Sequence, residues 1–60
     1  MYCVVIYAQY LTGDGNQSTT VSFEFIVNHV DEAVLADLKQ QAGRRVGGVF
    51  DLLVHGIFKL

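Results

Sequence analysis

Sixty residues, 52% of them apolar and 17% charged, with a mean hydropathy of +0.36, present more apolar surface than one small domain hides; a chain of this size buries only about 60% of the surface its unfolded form exposes. A single cysteine excludes an intrachain disulfide and a paired-cysteine zinc site, which leaves association with a second molecule as the remaining staple. There is no run of 18 apolar residues and no basic leader with a small-residue cleavage site, so the sequence predicts one domain over residues 1–60 of an unprocessed cytoplasmic protein with no membrane partner.

The formal charge of −2 divides unevenly along the chain. Asp14, Glu24, Asp31, Glu32 and Asp37 precede the first basic residue, whereas Lys39, Arg44, Arg45 and Lys59 share the last third with Asp51 alone. Such polarity can orient a partner, within a screening length of about 8 Å at physiological salt.

From Met1 to Leu11 both alternating sets are apolar, Tyr2, Val4, Ile6, Ala8 and Tyr10 against Met1, Cys3, Val5, Tyr7 and Leu11. This composition predicts a central strand covered on both faces. The segment Thr12 to Ser18 gathers Gly, Asp, Asn and Ser, residues that accept a positive φ or hydrogen-bond their own backbone, and predicts a hairpin loop. The second strand, Thr19 to Val27, turns Val21, Phe23, Phe25 and Val27 to the core and Thr20, Ser22 and Glu24 to water.

Asp31 is the expected helix N-cap, with Val30 and Leu35 placed for a hydrophobic staple and Glu32 at the positive end of the helix dipole. Val30, Val34, Leu35, Leu38 and Ala42 fall on one stripe, and Gly43 is expected to end the helix as a left-handed cap beside Arg44 and Arg45. Val49 to Leu60 fits two periods. A strand places Phe50, Leu52, Val54, Phe58 and Leu60 opposite Asp51, Leu53, His55, Ile57 and Lys59, while a helix aligns Asp51, His55 and Lys59 in one polar stripe. Gly56 and the β-branched and aromatic content favour the strand.

The expected architecture is therefore a small α+β domain of order β-β-α-β. Its three-stranded, mostly antiparallel sheet has strand order 2-1-3 and carries one helix on one face; the alternative is a β-hairpin followed by two helices. One helix covers one face of such a sheet, so the other face is where a partner fits.

No spacing joins a nucleophile to a base, and the sequence predicts a protein that is not an enzyme. Cys3, in an apolar strand, reads as a buried and inert thiol, and His29 and His55 as edge or surface histidines. Cys3, His29, Asp51 and His55 lack the close spacing of metal ligands, and Asp14 with Asn16 lacks the further carboxylates that calcium requires; neither a metal nor another cofactor is expected. Gly43-Arg44-Arg45-Val46-Gly47-Gly48 is the one stretch suited to an anion, but the acidic remainder repels a nucleic-acid backbone. Tyr2, Tyr7 and Tyr10 suit a protein interface.

The candidate interaction residues are thus Tyr2, Tyr7, Tyr10, Glu24, Arg44, Arg45 and His55. The expected function is a non-catalytic, homodimeric protein-interaction module, an inhibitor or adaptor comparable in size and composition alone to phage- and plasmid-encoded antagonists of host machinery. The competing expectation is a small nucleic-acid-binding or regulatory protein that uses Arg44 and Arg45.

Overall fold

The computed structural model describes residues 1–13, 15 and 17–60. Strand β1 (Tyr2–Thr12) is followed by β2 (Gln17–Val27), helix α1 (Glu32–Arg45) and strand β3 (Val49–Lys59). The sheet order is β2-β1-β3, and both outer strands run antiparallel to β1. This is the small α+β arrangement that the alternation of the strands and the amphipathic helix predict, and the two-helix alternative is excluded because Val49–Lys59 pairs with β1 as a strand.

Long strands set the shape. Eleven residues at about 3.4 Å each reach roughly 37 Å, and the molecule measures 40 × 18 × 14 Å with a radius of gyration of 12.2 Å. A compact chain of this length has a radius of gyration of about 10.4 Å, so the domain is elongated and thin.

The core lies between α1 and one face of the sheet. Val4, Ile6 and Ala8 of β1 are fully enclosed, joined by Phe25 of β2 and by Leu38 and Ala42 of α1. Register places Phe25 and Phe23 across from Val4 and Ile6 on one side, and Ile57, Val54 and Leu52 across from Val4, Ile6 and Ala8 on the other. Alternation along β1 and β2, and the observed register of β3, therefore bring the branched and aromatic side chains to the helix face, where Val34 and Leu35 of α1 also pack.

The helix begins as its sequence dictates. Asp31 has extended backbone, and its Oδ1 accepts a 2.8 Å hydrogen bond from the Val34 N–H, satisfying one of the donors left free in the first turn. Glu32 in that turn and Arg44 and Arg45 in the last complement the helix dipole.

Several expectations are corrected. Gly43 does not cap the helix, which continues to Arg45 and ends at the extended Val46. A glycine inside a helix costs about 1 kcal/mol relative to alanine, and the added turn offsets this by carrying the Arg45 guanidinium over the rings of Phe23 and Phe25, 5.5 and 5.1 Å from their centroids. The left-handed position is instead Gly48, φ 76°, which turns the chain into β3. The hairpin loop is shorter than expected, since Gln17 and Ser18 already pair with Thr12 and Leu11. Gly13 and Gly15 take φ of 61° and 90°, and the Gly15 N–H donates to the Thr12 carbonyl at 3.1 Å. The Asp14 and Asn16 pair lies outside the described residues.

In β3, strict alternation fails. Its register against β1 shifts between Val5 and Ile6 and again between Gln9 and Tyr10, so His55 and Phe50 are extra residues on the outer strand. Beyond His55 the two faces exchange: Ile57 joins Leu52 and Val54 on the helix side, and Phe58 joins Leu53 on the other. Finally, β1 is central but covered on one face only, because the single helix leaves Cys3, Val5 and Tyr7 screened by their neighbours alone.

Candidate functional site

The sheet face turned away from α1 is built from alternate residues of all three strands. Cys3, Val5, Tyr7, Gln9 and Leu11 line its centre, flanked by Ile26, Glu24, Ser22, Thr20 and Ser18 from β2 and by Phe58, Gly56, Leu53 and Asp51 from β3. Its chemistry is uneven across the strands. The β1 and β3 side is apolar, with Leu53 57% and Phe58 52% exposed, whereas the β2 side is hydroxylic and becomes apolar only at Ile26, 57% exposed.

At the centre of the apolar side the rings of Tyr7 and His55 stack 4.3 Å apart, 10° from parallel. Alternation from Leu53, the partner of Tyr7, already places His55 on this face, and the register break that follows leaves it without a partner of its own in the ladder. Beside the stack, the Phe58 ring lies over Gly56, so close that a methyl group there would meet ring atoms at 2.8 and 2.9 Å. Glycine thus lets the far end of the aromatic ring approach the backbone closely. The face carries the carboxylates of Glu24 and Asp51 and no Lys or Arg, since Lys59 pairs with Tyr2 on the helix side and the other cations belong to α1.

Of the seven interaction residues read from the sequence, Tyr7, Glu24 and His55 meet on this face. Tyr2 and Tyr10 stand at opposite ends of β1 on the helix side, in line with Val4, Ile6 and Ala8. Arg44 and Arg45 are exposed at the end of α1, and Arg45 spends its guanidinium on the two phenylalanine rings. The anion cradle suggested by residues 43–48 does not form as a loop, because Gly43, Arg44 and Arg45 are helical. Cys3, expected to be buried, is a half-buried free thiol in register with Ile26 and Phe58. Leu53 and Phe58 are the principal members of the face that sequence reasoning missed. Period-2 alternation grouped Phe58 with Leu52 and Val54, and the inserted His55 that separates them leaves no separate signal in the residue types.

A second concavity, of about 590 Å³, opens between β2 and α1 and is lined by Phe25, Val27, Ala33, Val34 and Leu38 with Asp37 and Gln41 at its rim. It exists because α1 packs mainly over β1 and β3, leaving the inner side of β2 less covered. Gln41 Nε2 donates to Asp37 Oδ2 at 2.8 Å across one helical turn of that rim. At its mouth His29 Nε2 lies 3.5 Å from Asp31 Oδ2, with both side chains largely exposed, so water screens the pair and its attraction is weak. Among the described residues, no three His, Cys, Asp or Glu side chains converge as a metal site requires, and no helix is long and apolar enough to cross a membrane. No protein-family model matches the chain, and neither a curated protein nor a solved structure is similar to it.

Proposed function

We propose that this protein is a non-catalytic, dimeric protein-interaction module whose open sheet face binds another protein, as an inhibitor or adaptor does. The observation that carries the reading is the uncovered side of the sheet, where Leu53, Phe58 and Ile26 stand more than half exposed around the Tyr7–His55 stack. Apolar and aromatic side chains grouped on a rigid sheet, with polar groups around them, have the composition of a binding surface. Glu24 and Asp51, unaccompanied by cations on that face, suit a partner with an apolar centre and a basic rim. The same carboxylates disfavour nucleic acid there.

Affinity capture from a lysate of the source organism tests the reading, using the wild type, Leu53→Asp and Arg44→Ala as baits with and without nuclease. A specific protein retained by the wild type and Arg44→Ala, indifferent to nuclease and lost with Leu53→Asp, is the expected result. Recovery of nucleic acid, with an affinity that falls by orders of magnitude between about 50 and 200 mM salt and that Arg44→Ala weakens, would replace it.

A further inference from the structure

The two edges of the sheet are not alike. Each outer strand leaves one row of main-chain N–H and C=O groups without a strand partner, a template on which another strand can pair. Along β3 that template is interrupted: two register breaks, Gly56, Asp51 and Lys59 all fall within it. Bulges and charges of this kind are how sheet proteins keep an edge from joining another chain. Along β2 such devices are reduced to one charge. Its eleven residues pair with β1 in unbroken register, without proline or lysine and with Glu24 as the single charge, and Thr, Val, Phe and Ile make up most of its length.

We infer that β2 is the edge on which a second copy of this chain pairs, antiparallel about a two-fold axis at Ser22, so that two sheets become one of six strands. This rests on the dimeric part of the proposed function. With the axis at Ser22 the whole strand is used, Gln17 lying opposite Val27 of the second copy at each end, and about ten main-chain hydrogen bonds form. On the helix side Val21 meets Phe23 and Thr19 meets Phe25, in both halves, which are the β-branched and aromatic cross-strand pairs that stabilise sheets.

Charge selects this register. An axis at Glu24 sets two carboxylates directly opposite each other, whereas the axis at Ser22 sets Glu24 opposite Thr20. The two Glu24 side chains are then four residues apart, about 13 Å, beyond a screening length of about 8 Å. Each Arg45 stays above Phe23 and Phe25 of its own strand, at a similar separation.

The joint also answers a shortage of area. One open face, about 37 Å by three strand spacings of about 4.8 Å, offers a footprint of roughly 500 Å², below the approximately 800 Å² per partner of a standard interface. A two-fold axis normal to the sheet puts both open faces on one side and supplies about 1,000 Å². Stacking the open faces of two copies on each other would instead bury Glu24 and Asp51 without a cation, which desolvation opposes.

Sedimentation equilibrium on four proteins tests the assignment, with circular dichroism to verify folding. Ser22 is exposed, so Ser22→Lys and Ser22→Glu leave the core untouched but place like charges face to face at the axis. Each alone is expected to dissociate at least tenfold more readily than the wild-type pair of 6.6 kDa chains, and an equimolar mixture of the two to recover a dimer. Leu53→Asp, on the far strand of the open face, is expected to remain dimeric. Amide exchange on the wild type requires no substitution: as concentration rises, protection should increase along β2 and not along β3. A wild type that stays monomeric throughout the micromolar range would overturn the dimeric reading together with this one. A wild-type dimer unaffected by both Ser22 variants, or one broken by Leu53→Asp, would overturn the β2 assignment and leave the dimer standing.

Discussion

Two isoleucines on opposite faces of the same sheet provide a direct measure of where the stability lies. Ile6 is at 0% exposure, between Phe23 and Val54 and beneath the helix, while Ile26 is 57% exposed on the open face. Truncating a fully enclosed isoleucine to alanine removes its transfer free energy and leaves a cavity, about 2 to 5 kcal/mol in all. The whole domain, at roughly 0.05 to 0.15 kcal/mol per residue, has about 3 to 9 kcal/mol to lose. Ile6→Ala should therefore remove a large part of the stability and lower the melting temperature by tens of degrees, at about 4 to 8 °C per kcal/mol for a domain of this size. Ile26→Ala forfeits less than half of an isoleucine's burial, under about 1 kcal/mol. Urea melts at one fixed protein concentration, which holds the mass-action contribution of the proposed self-association constant, give both values from the midpoints. An Ile26→Ala loss equal to that of Ile6→Ala would show that the open face is covered in the free protein and would refute the one-sided core.

Asp31→Ala removes the acceptor of the Val34 N–H and should cost about 1 kcal/mol, read as a fall in thermal midpoint that Asp31→Asn largely avoids. Gly48→Ala forces a Cβ onto a residue with φ 76° and should cost about 1 to 2 kcal/mol, although open space surrounds the site and the nearest atom to the added methyl is the Leu11 carbonyl oxygen at 3.9 Å; Gly47→Ala, with nothing nearby and no positive φ, is the neutral control. Arg45→Ala should destabilise by about 0.5 to 1 kcal/mol through loss of packing over Phe23 and Phe25, where Arg44→Ala is nearly silent, and chemical denaturation of the pair separates an arginine that covers aromatic rings from one that does not. Gly56→Ala should displace the Phe58 ring at little cost to stability, because the far end of a flexible side chain can move, and the upfield or downfield shift of nearby proton resonances reports the ring's new position.

Much of the fold was legible because each strong signal was local. The alternation of Val21, Phe23, Phe25 and Val27 marked the face of β2 that packs on α1, and Asp31 with the stripe through Leu38 and Ala42 marked where the helix starts and what it buries. The doubly apolar β1 identified the central strand, though its second apolar set reflected a sheet face left open and not a second covering layer. Gly43 misled because propensity weighs the backbone alone, and the gain from one more helical turn belongs to Arg45 and two phenylalanines about twenty residues away in sequence.

The open face was the harder part, and β3 explains why. Period-2 alternation assumes one residue on each strand per step, so a single inserted residue reverses every assignment beyond it. His55 is that residue: the sequence from Asp51 to Lys59 reads equally well with or without it, and only the pairing with β1 shows that Val54 and Ile57, three apart, share a face. The insertion has two consequences that propensity could not anticipate. It turns Phe58 outward, beside the stack of His55 on Tyr7, completing the apolar half of the face. It also breaks the outer row of main-chain groups on β3, so that of two edges equal in length only β2 remains continuous. His55, with Phe50 at the second break, thus determines both what the open face displays and which edge of the sheet keeps an unbroken row of main-chain groups.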